Sequence, residues 1–338
     1  MKSLYESLLD DFTELNKNLD VNAVKNEIKG FLKQNFKGVY RISKTPDENG
    51  KFVVDSKQNI TVINYNITSL TNGMFVFGEI GGEFSCRRCK QLESLEGAPR
   101  IAGKFNCTEC DSLKSLEGAP EIVDYFYCGN CKGLESFKGA PKECILFDCK
   151  WSGESGKGIQ NLEGIPTKVK EIDLRHIYGL KTLKGCPTKI EDFSCIDMPD
   201  LVSIENGPKE VAGNCSYSGC PNLKSLKGSP KKVGESFGCS DCYALKNFEG
   251  APEEIGESFH AVNCFGIDTN DPNSLKGFPK KVGGDVRVDA FKQIQDKIGI
   301  TSWEPFKKED VEKVCHVGGS IHTDVRGQNG LNRYGVLI

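Results

Sequence analysis

The sequence lacks any long hydrophobic run, since no window approaches the roughly 18 consecutive apolar residues that a transmembrane helix requires. Residues 1–12 carry a charge every few positions and have no apolar segment of the kind found in signal peptides. There is also no basic surplus, because 44 Lys and Arg stand against 47 Asp and Glu. We therefore expect a cytoplasmic chain with reduced thiols, and neither a membrane nor a nucleic acid as its partner.

Residues typical of catalytic sites are sparse as well. The four histidines are scattered, and there is neither a glycine-rich phosphate loop nor the histidine pair of a metalloprotease. Cys315 precedes His316, but a Cys–His nucleophile depends on spatial contact and an orienting third group, which adjacency does not supply. The sequence predicts a protein that is not an enzyme and that has no cofactor or metal.

Glycine and cysteine, in contrast, are abundant, with 37 and 16 residues, and both belong to an internal repeat of 21 or 22 residues. With the first residue of a unit numbered zero, positions 0, 2, 5, 8, 11 and 18 are mostly apolar or Cys. Position 13 is Gly in eight of nine units, and position 15 is Pro in all nine. The units, here called coils 1 to 9, begin at Phe84, Phe105, Phe126, Phe147, Ile172, Phe193, Cys215, Phe237 and Phe259.

The spacing of the apolar positions predicts the shape of each coil. Positions 0 and 2 alternate as in a short strand with one buried face, while positions 5, 8 and 11 suit an arc that points every third side chain inward. Gly at position 13 allows an unusual φ, and Pro at position 15 forbids a helix there. Because one coil cannot bury its own apolar edge, the coils must stack. Nine or ten coils predict a rod roughly 45 Å long.

Read from position 18, the pattern V-x-x-F-x-C-x-x-C-x-x-L-x-S-L resembles the leucine-rich repeat in its cysteine-containing, short bacterial form. The sequence motif C-x-x-L-x-S-L-E-G-A-P is similar to the repeats of proteins encoded by tailed bacteriophages. The resemblance implies an α/β repeat solenoid, a leucine-rich-repeat-like rod of short parallel strands. It also implies a protein-interaction scaffold, either built into the virion or binding a host protein in the infected cell's cytoplasm. Oligomeric state is left open.

Three regions are expected along the chain. Residues 1–59 predict a small α+β cap with a first helix that opens at Ser3 and extends to Leu15, a second helix over 22–35, and strands near 39–43, 52–55 and 60–65. Residues 60–289 form the solenoid, beginning with an irregular coil over 60–83. Residues 290–338 predict a helical cap, with helices over 290–298 and 307–315, and a tail from 317 that is flexible, packed on its own domain or a docking segment.

The cysteines allow three interpretations. Cys86, Cys89, Cys107 and Cys110 have zinc-ribbon spacing, so a metal-binding or redox function for the CxxC units is an alternative, and disulfides are a third possibility. However, positions 2 and 5 are occupied elsewhere by Leu, Ile, Met, Tyr or Ala, as a core position allows and a ligand position does not. We favour buried, reduced thiols that act as small apolar residues.

The candidate partner-binding residues lie between the buried positions of the strands. In a leucine-rich repeat such residues face outward on the concave side. Here they include Tyr125, Tyr127, Trp151, Arg175 and His176, surrounded by acidic side chains. Trp, Tyr and Arg are the residue types that dominate binding energy at protein interfaces. The sequence therefore predicts a protein partner on this face.

Overall fold

The computed structural model describes residues 20–154, 158–289, 294–295, 301–302 and 305–323. These residues contain helices α1 (Val21–Asn35) and α2 (Lys308–Val314). The strands are β1 (Phe36–Lys37), β2 (Arg41–Ile42), β3 (Phe52–Ser56), β4 (Ile60–Val62), β5 (Phe75–Ser85), β6 (Ile101–Asn106), β7 (Ile122–Tyr127), β8 (Glu143–Asp148), β9 (Lys168–Asp173), β10 (Lys189–Ile190), β11 (Asp192–Ser194), β12 (Glu210–Val211), β13 (Cys215–Ser216), β14 (Lys232–Val233), β15 (Phe237–Gly238), β16 (Glu254–Ile255), β17 (Phe259–Ala261), β18 (Lys281–Val282), β19 (Val286–Val288), β20 (Ile294–Gln295), β21 (Thr301–Ser302), β22 (His316–Val317) and β23 (Ile321–His322).

The strands stack into a parallel β-solenoid, so the predicted repeat solenoid is confirmed at this level. A fifteen-stranded sheet follows the path β1-β4-β5-β6-β7-β8-β9-β11-β13-β15-β17-β19-β23, with β3 beside β5 and β2 beside β3. Each coil pairs with the next at matching repeat positions, as Phe105 does with Phe126 and Phe126 with Phe147. In the described residues, no helix has the length and apolar character needed to cross a membrane.

The core contains the apolar positions that the repeat predicts. In coil 1, the residues at positions 0, 2, 5, 8 and 11 are completely buried: Phe84, Cys86, Cys89, Leu92 and Leu95. The phenylalanines of position 0 form a column in coils 1 to 4, with ring centroids 5.4–5.7 Å apart and nearly parallel planes. In these four coils each strand therefore adds one ring to a continuous core, and this core joins neighbouring coils.

The turns also agree with the repeat. Gly185, at position 13 of coil 5, has φ +94°, a conformation that residues with a Cβ rarely adopt. The side chain at position 10 binds the backbone N–H two residues later, as Asn161 Oδ1 does with Glu163 N at 2.9 Å. In coil 6 position 13 is Asn206, and the glycine comes one residue later, at position 14, as Gly207. A Cβ on Gly207 would lie 3.0 Å from the buried hydroxyl of Tyr217.

A second parallel sheet, which the sequence analysis did not anticipate, runs along the later coils in the order β10-β12-β14-β16-β18-β22. In the earlier coils a single six-residue strand covers both segments. The 22-residue coils 6, 7 and 8 have three residues between the two segments, and one of the three is glycine in each coil: Gly213, Gly234 and Gly256. An added Cβ at Gly256 would clash with the carbonyl of Gly234, so the coils approach closely here.

The N-terminal region contains the helix and the strands expected within 20–59, while residues 1–19 lie outside the described part. Asp20 caps α1 by accepting hydrogen bonds from the N–H groups of Asn22 and Ala23, both at 3.0 Å. Parallel pairing already begins at β3, where Phe52 lies opposite Phe75. The fifteen-stranded sheet therefore crosses the expected boundary at residue 59.

The C-terminal region differs from the expectation. The predicted helix over 307–315 is present as α2, but the helix predicted over 290–298 is wrong for its described residues. Ile294–Gln295 is strand β20, paired antiparallel with β21. Residues 316–322, expected to belong largely to a tail, instead rejoin the solenoid. Strand β22 pairs with β18, and β23 pairs with β19, both in parallel. The segment HVGGSIH thus repeats the segment KVGGDVR of residues 281–287.

Candidate binding surface

Each coil leaves the main sheet through a left-handed residue at position 4. Trp151 has φ 62° and His176 has φ 56°. The ladder of backbone hydrogen bonds continues through this position, since Trp151 N donates to Arg175 O at 2.8 Å and His176 N donates to Ile196 O at 3.0 Å. The side chains of position 4 consequently form a row with one residue per coil.

A bulky residue in this conformation is unfavourable, by about 1 kcal/mol or more for a side chain with a Cβ. Asn and Asp tolerate it best, and they occupy position 4 in coils 3, 6, 8 and 9. Trp151 is 49 % exposed, so little core burial offsets this cost. An exposed tryptophan on an unfavourable backbone position is a reason to expect a binding function there.

Trp151 is stacked on the side chain of the next coil. Its ring centroid lies 3.6 Å from that of His176, with 22° between the planes. His176 Nε2 in turn lies 3.1 Å from Asp197 Oδ2. Three consecutive coils therefore present an indole, an imidazole and a carboxylate in line, and two of these three are residues that the sequence analysis selected.

Arg175 lies beside this row but is committed to an ion pair. Its Nε lies 2.9 Å from Asp173 Oδ1, and Lys150 Nζ lies 3.8 Å from Asp173 Oδ2 and 2.8 Å from Asp148 Oδ2. Burial acts to raise the pKa of Asp173, but its hydrogen bonds to Arg175 outweigh that effect and lower the pKa. These two basic residues thus pair with two of the acidic side chains expected around the aromatic residues, Asp148 and Asp173.

Tyr125 and Tyr127 form a second group, on β7. The ammonium group of Lys104 lies 5.3 Å from the centroid of the Tyr125 ring. Tyr127 lies opposite Asp148 in register. Partial burial, followed by the negative charge of Asp148, raises the pKa of Tyr127. Tyr127 thus lies next to Asp148, which Lys150 links to Asp173 and so to the ion pair of Arg175.

A comparison with protein-family models, with curated proteins and with solved structures finds no match to this chain. Its function must therefore be inferred from its own surface.

The sequence analysis missed a second row, at position 6. In coils 5 to 9 this position is Tyr178, Pro199, Pro221, Tyr243 and Phe265, whereas in coils 1 to 3 it is Lys90, Asp111 and Lys132. Together with His176, Asp197 and Asp241, the row lines a groove of about 300 Å³, here called the edge groove. Phe265 extends it by stacking on Tyr243, with ring centroids 5.3 Å apart. The switch from charged to apolar residues was visible once the units were aligned.

The cysteines line the interior, and fifteen of the sixteen are buried, with Cys186 partly so. At position 5 the thiol donates to the carbonyl of position 2 in the preceding coil, as Cys110 Sγ does to Cys86 O and Cys131 Sγ to Cys107 O, both at 3.2 Å. In coil 4 the hydroxyl of Ser152 makes the same bond, to Cys128 O at 3.0 Å.

The environment of these thiols favours their protonated form. Burial raises the pKa of Cys89 and Cys215 to about 12, and that of Cys315 to about 11. Metal ligation and nucleophilic attack both use the thiolate. Among the described residues, no group of three or more His, Cys, Asp or Glu is arranged to hold a metal ion. The burial of the thiols at apolar positions of the repeat is the behaviour of structural core residues.

Proposed function

We propose that the chain is a non-enzymatic protein-binding rod. Its partner-binding surface would be the outward face of the fifteen-stranded sheet around Trp151, His176 and Arg175, with Tyr125 and Tyr127 beside them. The observation that carries the proposal is the Trp151–His176 stack, half exposed and held on left-handed backbone. An aromatic pair with a neighbouring guanidinium matches the composition of interface hot spots.

The sequence resemblance gives the biological setting of the proposal. It points to a phage-encoded leucine-rich-repeat-like protein, present either in the virion or in the cytoplasm of the infected cell, where it would bind a host protein. A rigid solenoid supports this use, because stacked coils hold widely spaced side chains in fixed relative positions without the cost of ordering them on binding.

The test compares capture of partners by the purified native chain and by the double variant Trp151→Ala/Tyr127→Ala, from infected-cell lysate and from disrupted virions, with mass spectrometry. We expect the variant to retain its circular dichroism spectrum and to lose a partner that the native chain captures. The matched control is Tyr65→Ala, which removes a 54 % exposed tyrosine in the irregular coil over 60–83, away from the proposed surface. Equal capture by the native chain and the double variant would remove this surface from consideration.

A further inference from the structure

The edge groove is continuous with the surface proposed above but is chemically distinct from it. Its lining runs from His176 in coil 5 to Tyr243 in coil 8, and Phe265 of coil 9 extends it by stacking on Tyr243. Four steps at the strand spacing of about 4.8 Å make it about 19 Å long. Tyr243 and Phe265 are 43 % and 36 % exposed, and the prolines of the row are half-buried. A row of partly exposed rings and prolines of this length is typical of an interaction site.

We propose that the edge groove binds a proline-rich segment of a partner protein in the polyproline II conformation, carrying Lys or Arg between its prolines. The proposal rests on the protein-binding function proposed above and names the partner chemistry for one part of that surface. Three features of the groove support it: its apolar row, its spacing and its charge.

The first feature is the composition of the row. Tyr178, Pro199, Pro221 and Tyr243 form a shallow apolar channel without a deep cavity. Proline-rich ligands dock in aromatic-lined channels of this kind, and their preformed conformation loses little entropy on binding. Because polyproline II has no internal hydrogen bonds, its carbonyls need donors, and Tyr178 carries a phenol that can supply one.

The second feature is the spacing of the coils. Three residues of polyproline II advance about 9.3 Å, at 3.1 Å per residue. Two steps of the solenoid advance about 9.6 Å at the strand spacing. Prolines repeated every third residue would therefore meet side chains of the row that lie two coils apart, such as Tyr178 and Pro221, or Pro199 and Tyr243. The mismatch of about 0.3 Å per turn stays small over the length of the groove.

The third feature is charge. The residues that line the groove include the carboxylates of Asp197 and Asp241 but neither Lys nor Arg. Asp197 lies beside His176, and Asp241 accepts a hydrogen bond from Asn263 Nδ2 at 2.9 Å, so both carboxylates have fixed positions. A basic ligand would be electrostatically complementary to these two carboxylates, and opposite charges both steer association and determine the register of binding.

The test measures binding of synthetic peptides to the full chain by fluorescence polarisation. We expect a labelled peptide of four Pro-Pro-Lys repeats to bind. A Pro-Pro-Glu peptide, which keeps the conformation, and a Gly-Ser-Lys peptide, which keeps the charge, should each bind at least about tenfold more weakly. Tyr243→Ala/Phe265→Ala should weaken the Pro-Pro-Lys peptide by about tenfold or more, and Tyr65→Ala should not.

The outcomes separate this inference from the proposed function. Failure of the Pro-Pro-Lys peptide to bind, equal binding of the three peptides, or binding unaffected by Tyr243→Ala/Phe265→Ala would each overturn the inference. A soluble oligosaccharide that binds in the groove in place of the peptide would overturn it too, assigning the rings to a glycan. If capture is lost in Trp151→Ala/Tyr127→Ala but not in Tyr243→Ala/Phe265→Ala, the proposed function survives and only the edge groove is refuted.

Discussion

Ser152 offers the sharpest test of how the coils are joined. Its side chain is completely buried, donates to Cys128 O at 3.0 Å and accepts from Cys131 N at 3.2 Å. Ser152→Ala removes the partner of two buried backbone groups at once. Each group left unsatisfied costs about 1–3 kcal/mol, so we expect the variant to lose about 2–6 kcal/mol of its free energy of unfolding.

Ser152→Cys is the informative companion, because cysteine occupies the same position in six other coils. Its thiol can donate to Cys128 O as Cys131 Sγ donates to Cys107 O. A thiol is a weaker donor than a hydroxyl, so we expect a stability between those of the native chain and Ser152→Ala. Ser203→Ala is the control: Ser203 accepts from Glu205 N at 3.3 Å but is only half-buried, and its loss should cost about 0.5 kcal/mol or less.

The assay combines urea unfolding with hydrogen exchange. A solenoid need not unfold in one step, so the midpoint alone does not give a local value. Exchange of the Cys131 amide reports the local loss directly, and it should accelerate in Ser152→Ala and be largely restored in Ser152→Cys. If Ser152→Ala is as stable as Ser203→Ala, or if Ser152→Cys is less stable than Ser152→Ala, position 5 does not act as a hydrogen-bond donor between coils.

Two further predictions concern the turns and the thiols. Gly185→Ala should lower the free energy of unfolding by more than 1 kcal/mol, because φ is +94° and the new Cβ would lie 2.5 Å from Glu163 N. Gly30→Ala, on the open surface of α1, should raise it by about 0.5–1 kcal/mol. Thermal unfolding of the two variants checks these opposite signs. At pH 8 the folded chain should react with a disulfide reagent slowly, and first at Cys186, which is only partly buried, and at Cys315, whose pKa rises only to about 11. All sixteen thiols should react in urea, and rapid reaction of several thiols in the folded chain would contradict their burial.

The core could be predicted because burial has the same period as the sequence. Each core residue packs against the residue at the same position of the next coil, which is usually of the same type. In coil 1 these core residues are Phe84, Cys86, Cys89, Leu92 and Leu95. Repetition multiplies this signal, so substitutions at single positions, such as Tyr217 for Cys, do not obscure it. For the same reason the cysteines could be recognised as core residues in spite of their zinc-ribbon spacing.

The left-handed turn at position 4 was not predicted, because its signal is incomplete: Asn, Asp or Gly, which favour this conformation, occupies the position in five coils of nine. Arg88, Glu109, Trp151 and His176 all adopt positive φ, and glycine occupies the position only once, at Gly219. The backbone hydrogen bonds of the neighbouring coils impose the conformation there, and tertiary context thus overrides the preference of the residue itself. The returning coil at 316–322 was missed for another reason: one seven-residue segment, separated from coil 9 by a long excursion, is too short to stand out as a repeat.

The surface of the rod changes character at coil 4. Position 6 is charged in coils 1 to 3 and apolar or aromatic in coils 5 to 9. Between these halves, coil 4 has Trp151 on left-handed backbone, Ser152 in place of cysteine, and extra residues after Ser152. The interior departs from the repeat in other coils as well, at Ile177 and Met198 of position 5, so packing tolerates several residue types there. Ser152 nevertheless keeps the bond to Cys128 O that a cysteine thiol makes in other coils, so the hydrogen-bonded interior of coil 4 is preserved beneath a changed surface. Packing does not require the change from charged to apolar side chains at position 6, and this change supports the proposal that the outer surface binds a partner.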